Sequence, residues 1–182
     1  MPLIRPASIA DVQAIARVDV ETWRATYAGI LPDSVLIDMS PRTRSTFWAR
    51  FVTKHPGDTI VAVDARNQVL GFGSCGVQRD QRLPSGGEVF SIYVQPDQQG
   101  QGIGRQLLLS LFFRLVQNGF KGCVLWVLER NPSRFFYERL GGRVVARQVL
   151  RYGTEEVGAS AYAWNDLPET LNSRGRASSR IE

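Results

Sequence analysis

The stretch Glu88-Val-Phe-Ser-Ile-Tyr-Val94-Gln95-Pro96-Asp97-Gln98-Gln99-Gly100-Gln101-Gly102-Ile103-Gly104-Arg105-Gln106-Leu107-Leu108 holds the transition that organises this chain. Glu88 to Val94 has the apolar, β-branched and aromatic content of a strand, and Pro96 and Asp97 break it. Three alternate glycines, Gly100, Gly102 and Gly104, then open a segment in which Leu107, Leu108, Leu111 and Leu115 recur at helical spacing. A glycine-rich loop at a helix start brings several backbone N–H groups to one point, where the helix dipole already favours negative charge. Diphosphate is the natural ligand of such a strand, loop and helix unit. Glycine also lets a ligand approach the main chain closely.

Two familiar nucleotide motifs do not fit. A Walker loop requires Lys and then Ser or Thr after its last glycine, and Arg105-Gln106 follow Gly104. A dinucleotide fingerprint counted from Gly100 and Gly102 requires a third glycine where Arg105 stands, and the acidic residue expected about twenty positions later is missing.

Working outward, Leu3 to Arg5 reads as a first strand, and Ser8 with Asp11 resembles a capping box that opens a helix through about Tyr27. Val12, Ile15, Ala16 and Asp19 give that helix one mostly apolar stripe. A second helix is expected from Pro41 to Lys54, with Phe47, Trp48 and Phe51. Thr59–Val63 and Val69–Val77 read as a hairpin around Arg66-Asn67, and Arg79 to Gly87 as a polar loop. After the glycine loop come a helix from Gly102 to Gln117, a buried strand from Gly122 to Leu128 and a short helix from Ser133 to Leu140. Strands near Arg143 to Arg151 and Gly158 to Trp164 close the order. It predicts a mixed α/β (α+β) sheet covered on both faces.

The 182 residues suit one domain, expected over residues 1–168, followed by a basic, flexible tail at 169–182 that contains Arg174, Arg176 and Arg180. The net charge of +5 suits a polyanionic ligand as well as it suits nucleic acid, and neither aromatic interleaving nor a recognition helix favours nucleic acid. Cys75 and Cys123 lie in apolar surroundings with no histidine or thiol at metal-ligand spacing, so buried free thiols and no metal are expected. No apolar run is long enough to span a bilayer, and the first residues lack a signal peptide's pattern; a cytoplasmic protein is the expectation.

Gln99-x-x-Gly102-x-Gly104, preceded by Ile92-Tyr93-Val94-Gln95-Pro96 and followed by Leu107-Leu108, resembles the acyl-CoA motif of the GNAT superfamily of N-acetyltransferases. A second block agrees: Leu125-Trp126-Val127-Leu128, Asn131-Pro132-Ser133-Arg134, Phe136-Tyr137-Glu138 and Leu140-Gly141-Gly142. Asn131 stands five residues before Phe136, where many members have six. The resemblance implies about seven strands flanked by about four helices, splayed between the fourth and fifth strands. It implies acetyl-CoA as cosubstrate, with main-chain groups of Ile92, Tyr93 and Val94 meeting pantetheine and acyl carbonyl. Gln99, Gly100, Gln101, Gly102, Ile103, Gly104 and Arg105 would hold the pyrophosphate, with Asn131, Ser133 and Tyr137 farther along the cofactor. Dimerisation, common in the family, would allow a homodimer.

The implied reaction moves an acetyl group to a primary amine of a small molecule or a protein by direct attack in a ternary complex. A non-catalytic acyl-CoA-binding module is the alternative. An amine with pKa about 10.4 is almost wholly protonated at neutral pH, so a base is needed. Strand alternation puts Glu88 on one face with Phe90, Ile92 and Val94, a lone carboxylate whose desolvation raises its pKa toward a base's range. The resemblance puts Tyr137 against the coenzyme sulfur. Proton transfer from a tyrosine near 10 to a thiolate near 8.5 is uphill by about 2 kcal/mol, so hydrogen bonding is its expected role. Trp23 and Tyr27, with Phe47 and Trp48, lie on helices that wall the acceptor pocket in the family, and Arg79 to Gly87 would form its rim.

Overall fold

A computed structural model describes residues 2–83, 85–153 and 155–178, with side chains described through Ser173. The chain opens with β1 (Leu3–Pro6) and a 3-10 turn at Ile9–Asp11, then α1 (Val12–Tyr27), α2 (Asp33–Ile37) and α3 (Pro41–Lys54). The strands β2 (Thr59–Val63), β3 (Val69–Val77) and β4 (Gly86–Val94) follow, then α4 (Ile103–Gln117), β5 (Gly122–Leu128) and α5 (Arg134–Arg139). Finally come β6 (Arg143–Tyr152), β7 (Glu155–Trp164) and α6 (Leu167–Ser178). One seven-stranded sheet runs in the order β1-β2-β3-β4-β5-β7-β6, and only β4 and β5 pair in parallel.

Both faces are covered, as the alternation of strands and helices predicts. On one face, Val12, Ile15, Ala16 and Val18 of α1 and Trp48 and Val52 of α3 pack on Val61, Val63, Val69 and Phe72. On the other, Leu107, Leu108, Leu111 and Leu115 of α4 are wholly buried against Ile60, Ala62, Cys75 and Val89. The local signals act as read. Asp11 accepts from the Ser8 amide at 2.7 Å and the Ser8 hydroxyl at 2.8 Å. Arg5 grips the same carboxylate through two 2.8 Å hydrogen bonds. Pro41 starts α3 behind Ser40, whose hydroxyl accepts from Thr43 N–H at 3.1 Å.

Three expectations need correction. Six α-helices, not about four, flank the sheet among the described residues. One of the extra helices, α2, is only five residues long, too short for an apolar period to show. Residues 169–178, placed in a flexible tail, continue α6; Leu167 is fully buried and Leu171 packs on the core, an anchor of two apolar residues. Residues 179–182 lie outside the described residues. Third, Asp19 belongs to the apolar stripe of α1 but is a clamp: fully buried, it accepts from Trp48 Nε1 at 2.7 Å and Arg44 Nε at 2.6 Å, tying α1 to α3.

Candidate active site

The site begins where the sheet opens. β4 and β5 are in register only at Gly86–Gly122, Gly87–Cys123 and Glu88–Val124, and beyond that they diverge. On its other side β4 remains paired with β3. Gln95 N–H donates to Leu70 C=O at 2.9 Å, so every second residue back along the ladder, Tyr93 opposite Phe72 included, turns its main chain to β3. Ile92 and Val94, opposite Gly73 and Gly71, therefore turn their N–H and C=O groups toward the gap left by β5. A cleft of about 390 Å³ occupies this gap, with Ser91 to Val94 on one wall and Leu125 to Val127 on the other.

The floor of the cleft continues into the glycine loop. Gly100 (φ 76°) and Gly102 (φ 82°) adopt the left-handed conformation, and Gly102 caps α4, turning the first amides of the helix outward. A Cβ on either glycine would meet nothing within 4 Å, so the loop presents bare main chain to open space. Gln99, Gly100, Gly102, Gly104 and Arg105 all line the cleft. The Gln99 side chain donates to Val94 C=O at 3.0 Å, fastening the loop to the strand. Space, outward-facing amides and a helix N-terminus suit a diphosphate and the amide-bearing arm of coenzyme A.

A second cleft, about 670 Å³, opens from the other face. Trp23, Tyr27, Arg79, Glu88, Trp126 and Tyr152 are among its walls. Tyr27, Phe90, Tyr93, Trp126 and Val127 line both clefts, so the two meet beside the open edge of β4. The chain matches the acetyltransferase (GNAT) family over residues 20–142. It belongs to that family. An uncharacterized N-acetyltransferase of Bacillus subtilis, YuaI, is 32% identical over 92% of this chain and 95% of its own. The L-methionine sulfoximine/L-methionine sulfone acetyltransferase of Pseudomonas paraeruginosa is 30% identical over 90% of each chain. The structure of yncA, a putative acetyltransferase from Salmonella typhimurium with its cofactor acetyl-CoA, superposes with a TM-score of 0.68 at 22% identity, covering 91% of this chain and 94% of that one.

In this GNAT enzyme the residues expected from the motifs are brought together, with adjustments. Tyr93 turns its main chain to β3, leaving Ile92 and Val94 as the strand residues with main-chain groups for a ligand. Ile103 is 2% exposed and packs in the core, which leaves its main chain for a ligand, and the Gln101 side chain is exposed outside the cleft. Asn131 and Ser133 line the first cleft, and Asn131 Oδ1 accepts the Ser133 amide at 2.9 Å. Tyr137, buried beside Asn131 and Ser133, also lines it; burial, then neighbouring Tyr27, pushes its phenol up from its ordinary value.

Glu88 departs most from expectation. The register of β3 and β4 slips between Ser74 and Cys75, where a bulge inserts Phe90. The extra residue reverses the alternation. Val89, Ile92 and Val94 face α4, while Tyr93 packs with Phe72, and Glu88 and Phe90 open to the second cleft. Nor is the carboxylate, 1% exposed, alone among apolar neighbours. Arg79 donates to it from the backbone N–H at 2.9 Å and from Nε at 3.1 Å, and Arg79 Nη2 closes the ion pair. The expectation of a lone carboxylate failed because Arg79 belongs to the polar loop, nine residues away in sequence.

Trp23 and Tyr27 line the second cleft, but Trp48 is core and Phe47 lines neither cleft. Sequence reasoning missed Trp126 and the β6 residues Gln148, Leu150 and Tyr152, which form the far wall. A signal was present: Gln148, Leu150 and Tyr152 recur at every second position, the spacing that puts side chains on one face of a strand. Among the described residues no group of His, Cys, Asp or Glu side chains is placed to hold a metal, and no helix is long and apolar enough to cross a membrane.

Proposed function

We propose that this enzyme transfers the acetyl group of acetyl-CoA to the primary amine of a small molecule by direct attack where the two clefts meet. The observation that carries this reading is their junction: one cleft has free strand edge and a glycine-capped helix start, the other opens from the opposite face, and both share Tyr27, Phe90, Tyr93, Trp126 and Val127. The amides from Gly100 to Arg105 hold the pyrophosphate, and Ile92 and Val94 pair with the pantetheine amides, with Asn131 and Ser133 beside them. A small acceptor suits the size of the second cleft and the activity of the Pseudomonas paraeruginosa relative.

In the step itself, nitrogen bonds to the acetyl carbon and the C–S bond breaks, its electron pair leaving on sulfur. Glu88 takes the proton that the ammonium must lose, through a water, because Arg79 already occupies the carboxylate face. Tyr137 hydrogen-bonds the departing sulfur while the second nitrogen proton passes to it, giving an acetamide and coenzyme A thiol. Burial holds the Tyr137 phenol in its protonated form, which suits a donor. Holding amine and thioester together supplies much of the remaining acceleration.

The test is thiol release from acetyl-CoA across a panel of small amines, amino acids and peptides. Turnover with small amines supports the reading. Turnover confined to peptides overturns the small acceptor, and acetyl-CoA binding no tighter than millimolar overturns the donor site. Tight acetyl-CoA binding with no thiol released from any amine leaves an acyl-CoA-binding module.

A further inference from the structure

The charged side chains that line the second cleft are Arg79, Asp80, Arg82 and Glu88, and their charges cancel in pairs. Arg79 holds Glu88 through its backbone N–H at 2.9 Å, through Nε at 3.1 Å and through the Nη2 ion pair. Arg82 holds Asp80 in a bidentate fork, with Nε donating to Oδ1 and Nη2 to Oδ2, both at 2.8 Å. Arg79 is fixed a second time, its guanidinium lying 4.9 Å from the centre of the Phe90 ring. An exposed pair such as Arg82 with Asp80 adds little stability, but it leaves no net charge facing the cleft. Among the described residues the other polar groups of the lining, Gln148 and the hydroxyls of Tyr27, Tyr93 and Tyr152, are uncharged.

The opposite wall is apolar. Trp23, Trp126, Leu150 and Tyr152 are partly buried on Tyr27, Leu128 and Ala159, so each keeps some apolar surface toward the cleft. Trp23 Nε1 already donates to the Tyr93 hydroxyl at 2.9 Å, which leaves the π surface of the indole for a ligand. Such a wall holds a flat apolar body by burial and by offset or edge-on ring contacts. Its ring faces also receive the ammonium before that group gives up its proton. A second ammonium would find every carboxylate of the cleft already paired, and a carboxylate would find every guanidinium paired. Either would give up hydration without gaining an opposite charge. We propose, building on the function proposed above, that the acceptor is an arylalkylamine: a primary amine on an aromatic body with no second charge. Its ring lies against Trp23, Trp126 and Tyr152 and its nitrogen reaches the junction of the clefts. Polyamines, aminoglycosides and free amino acids are poor acceptors on the same grounds.

The experiment compares kcat/KM, from thiol release with acetyl-CoA, for 2-phenylethylamine, L-phenylalanine, spermidine and ethylamine. L-Phenylalanine adds one carboxylate to the ring and chain of 2-phenylethylamine and should fall below it by about 10- to 100-fold, the cost of one unpaired polar group in the cleft. Spermidine, with further ammonium groups, and ethylamine, without the ring, should fall about as far. Two variants should move this preference in opposite directions. Asp80→Asn leaves Arg82 without its carboxylate and should raise L-phenylalanine about 5-fold relative to 2-phenylethylamine, the upper range for an exposed pair. Arg82→Gln leaves Asp80 without its guanidinium and should do the same for spermidine. L-Phenylalanine, spermidine or ethylamine turned over as well as 2-phenylethylamine by the wild-type protein overturns the assignment, and so does a preference that neither variant moves. Acetyl-CoA binding with no thiol released from any amine overturns the transfer reaction itself, a result distinguishable from a reversed preference.

Discussion

Adding one methyl group at two glycines separates the ligand-binding role of the loop from its backbone strain. Gly102 at the start of α4 has φ 82°, and Gly119, just past its end, has φ 88°. A Cβ would meet no atom within 4 Å at either position. Alanine at each therefore carries a similar left-handed penalty of about 1–2 kcal/mol and no clash. For a domain of this size that lowers Tm by about 2–8 °C in both variants. The surroundings differ: Gly102 lines the first cleft, whereas Gly119 closes the far end of the helix through its amide on Val116 C=O at 2.9 Å. Only the methyl at 102 stands where the pyrophosphate would approach the amides. Losing one hydrogen bond to that charged group costs about 1.5–3 kcal/mol, or about 10- to 100-fold in Kd. Thermal melts and calorimetric titration with acetyl-CoA, run on Gly102→Ala and Gly119→Ala side by side, give both numbers. Equal affinities in the two variants would refute the placement of the pyrophosphate.

Other substitutions address the chemistry and the fold. Glu88→Gln should lower kcat by about 100-fold or more while leaving acetyl-CoA affinity in place; an unchanged kcat removes Glu88 as the base. Tyr152→Ala, on the far wall of the second cleft, should raise the acceptor KM and leave the acetyl-CoA KM alone, as steady-state kinetics in both substrates will show. Asp11 bears on stability. Arg5, first, and then the Ser8 donors hold its carboxyl at about 2, below its ordinary 3.8. A depressed acid stabilises the fold above its unfolded pKa and loses that contribution as pH falls through the folded one. Asp11→Asn should therefore cost about 2 kcal/mol at neutral pH, and urea titrations should show the difference shrinking from about pH 4 downward.

The elements that sequence made legible are those whose period is strong or whose ends carry chemical markers. α3 runs from Pro41 to Lys54 as expected because a Ser cap and Pro at the first position mark its start and a loop marks its end. Thr59–Val63 was readable because a buried β-branched run has little alternative to a strand, and Val69–Val77 and Gly122–Leu128 because short apolar segments bounded by turns fit a buried strand. The glycine loop was legible for a different reason: alternate glycines before a leucine-rich stretch mark the left-handed turns, at Gly100 and Gly102, that lead into α4. What could not be read depended on partners distant in sequence. Nothing near Glu88 indicates that Arg79 folds back on it, and the alternation of Gln148, Leu150 and Tyr152 marks one face of β6 without indicating that it shares a cleft with Trp23.

The bulge at Phe90 links these features. Without it, Glu88 would share a face with Ile92 and Val94 and point into the α4 core, where a carboxylate has no partner. With it, Glu88 turns toward the second cleft, and the irregularity lies two residues past the last β4–β5 pair, Glu88–Val124, where the first cleft opens. Tyr93, alternating with Ile92 and Val94, lies on the face opposite theirs, within reach of Trp23, while Ile92 and Val94 keep their side chains in the core and their main chain at the gap. One inserted residue thus leaves the Glu88 carboxylate and the Tyr93 phenol at the second cleft and the main-chain edge of Ile92 and Val94 at the gap. Restoring regular alternation by deleting Phe90 should abolish acetyl transfer altogether rather than shift either KM.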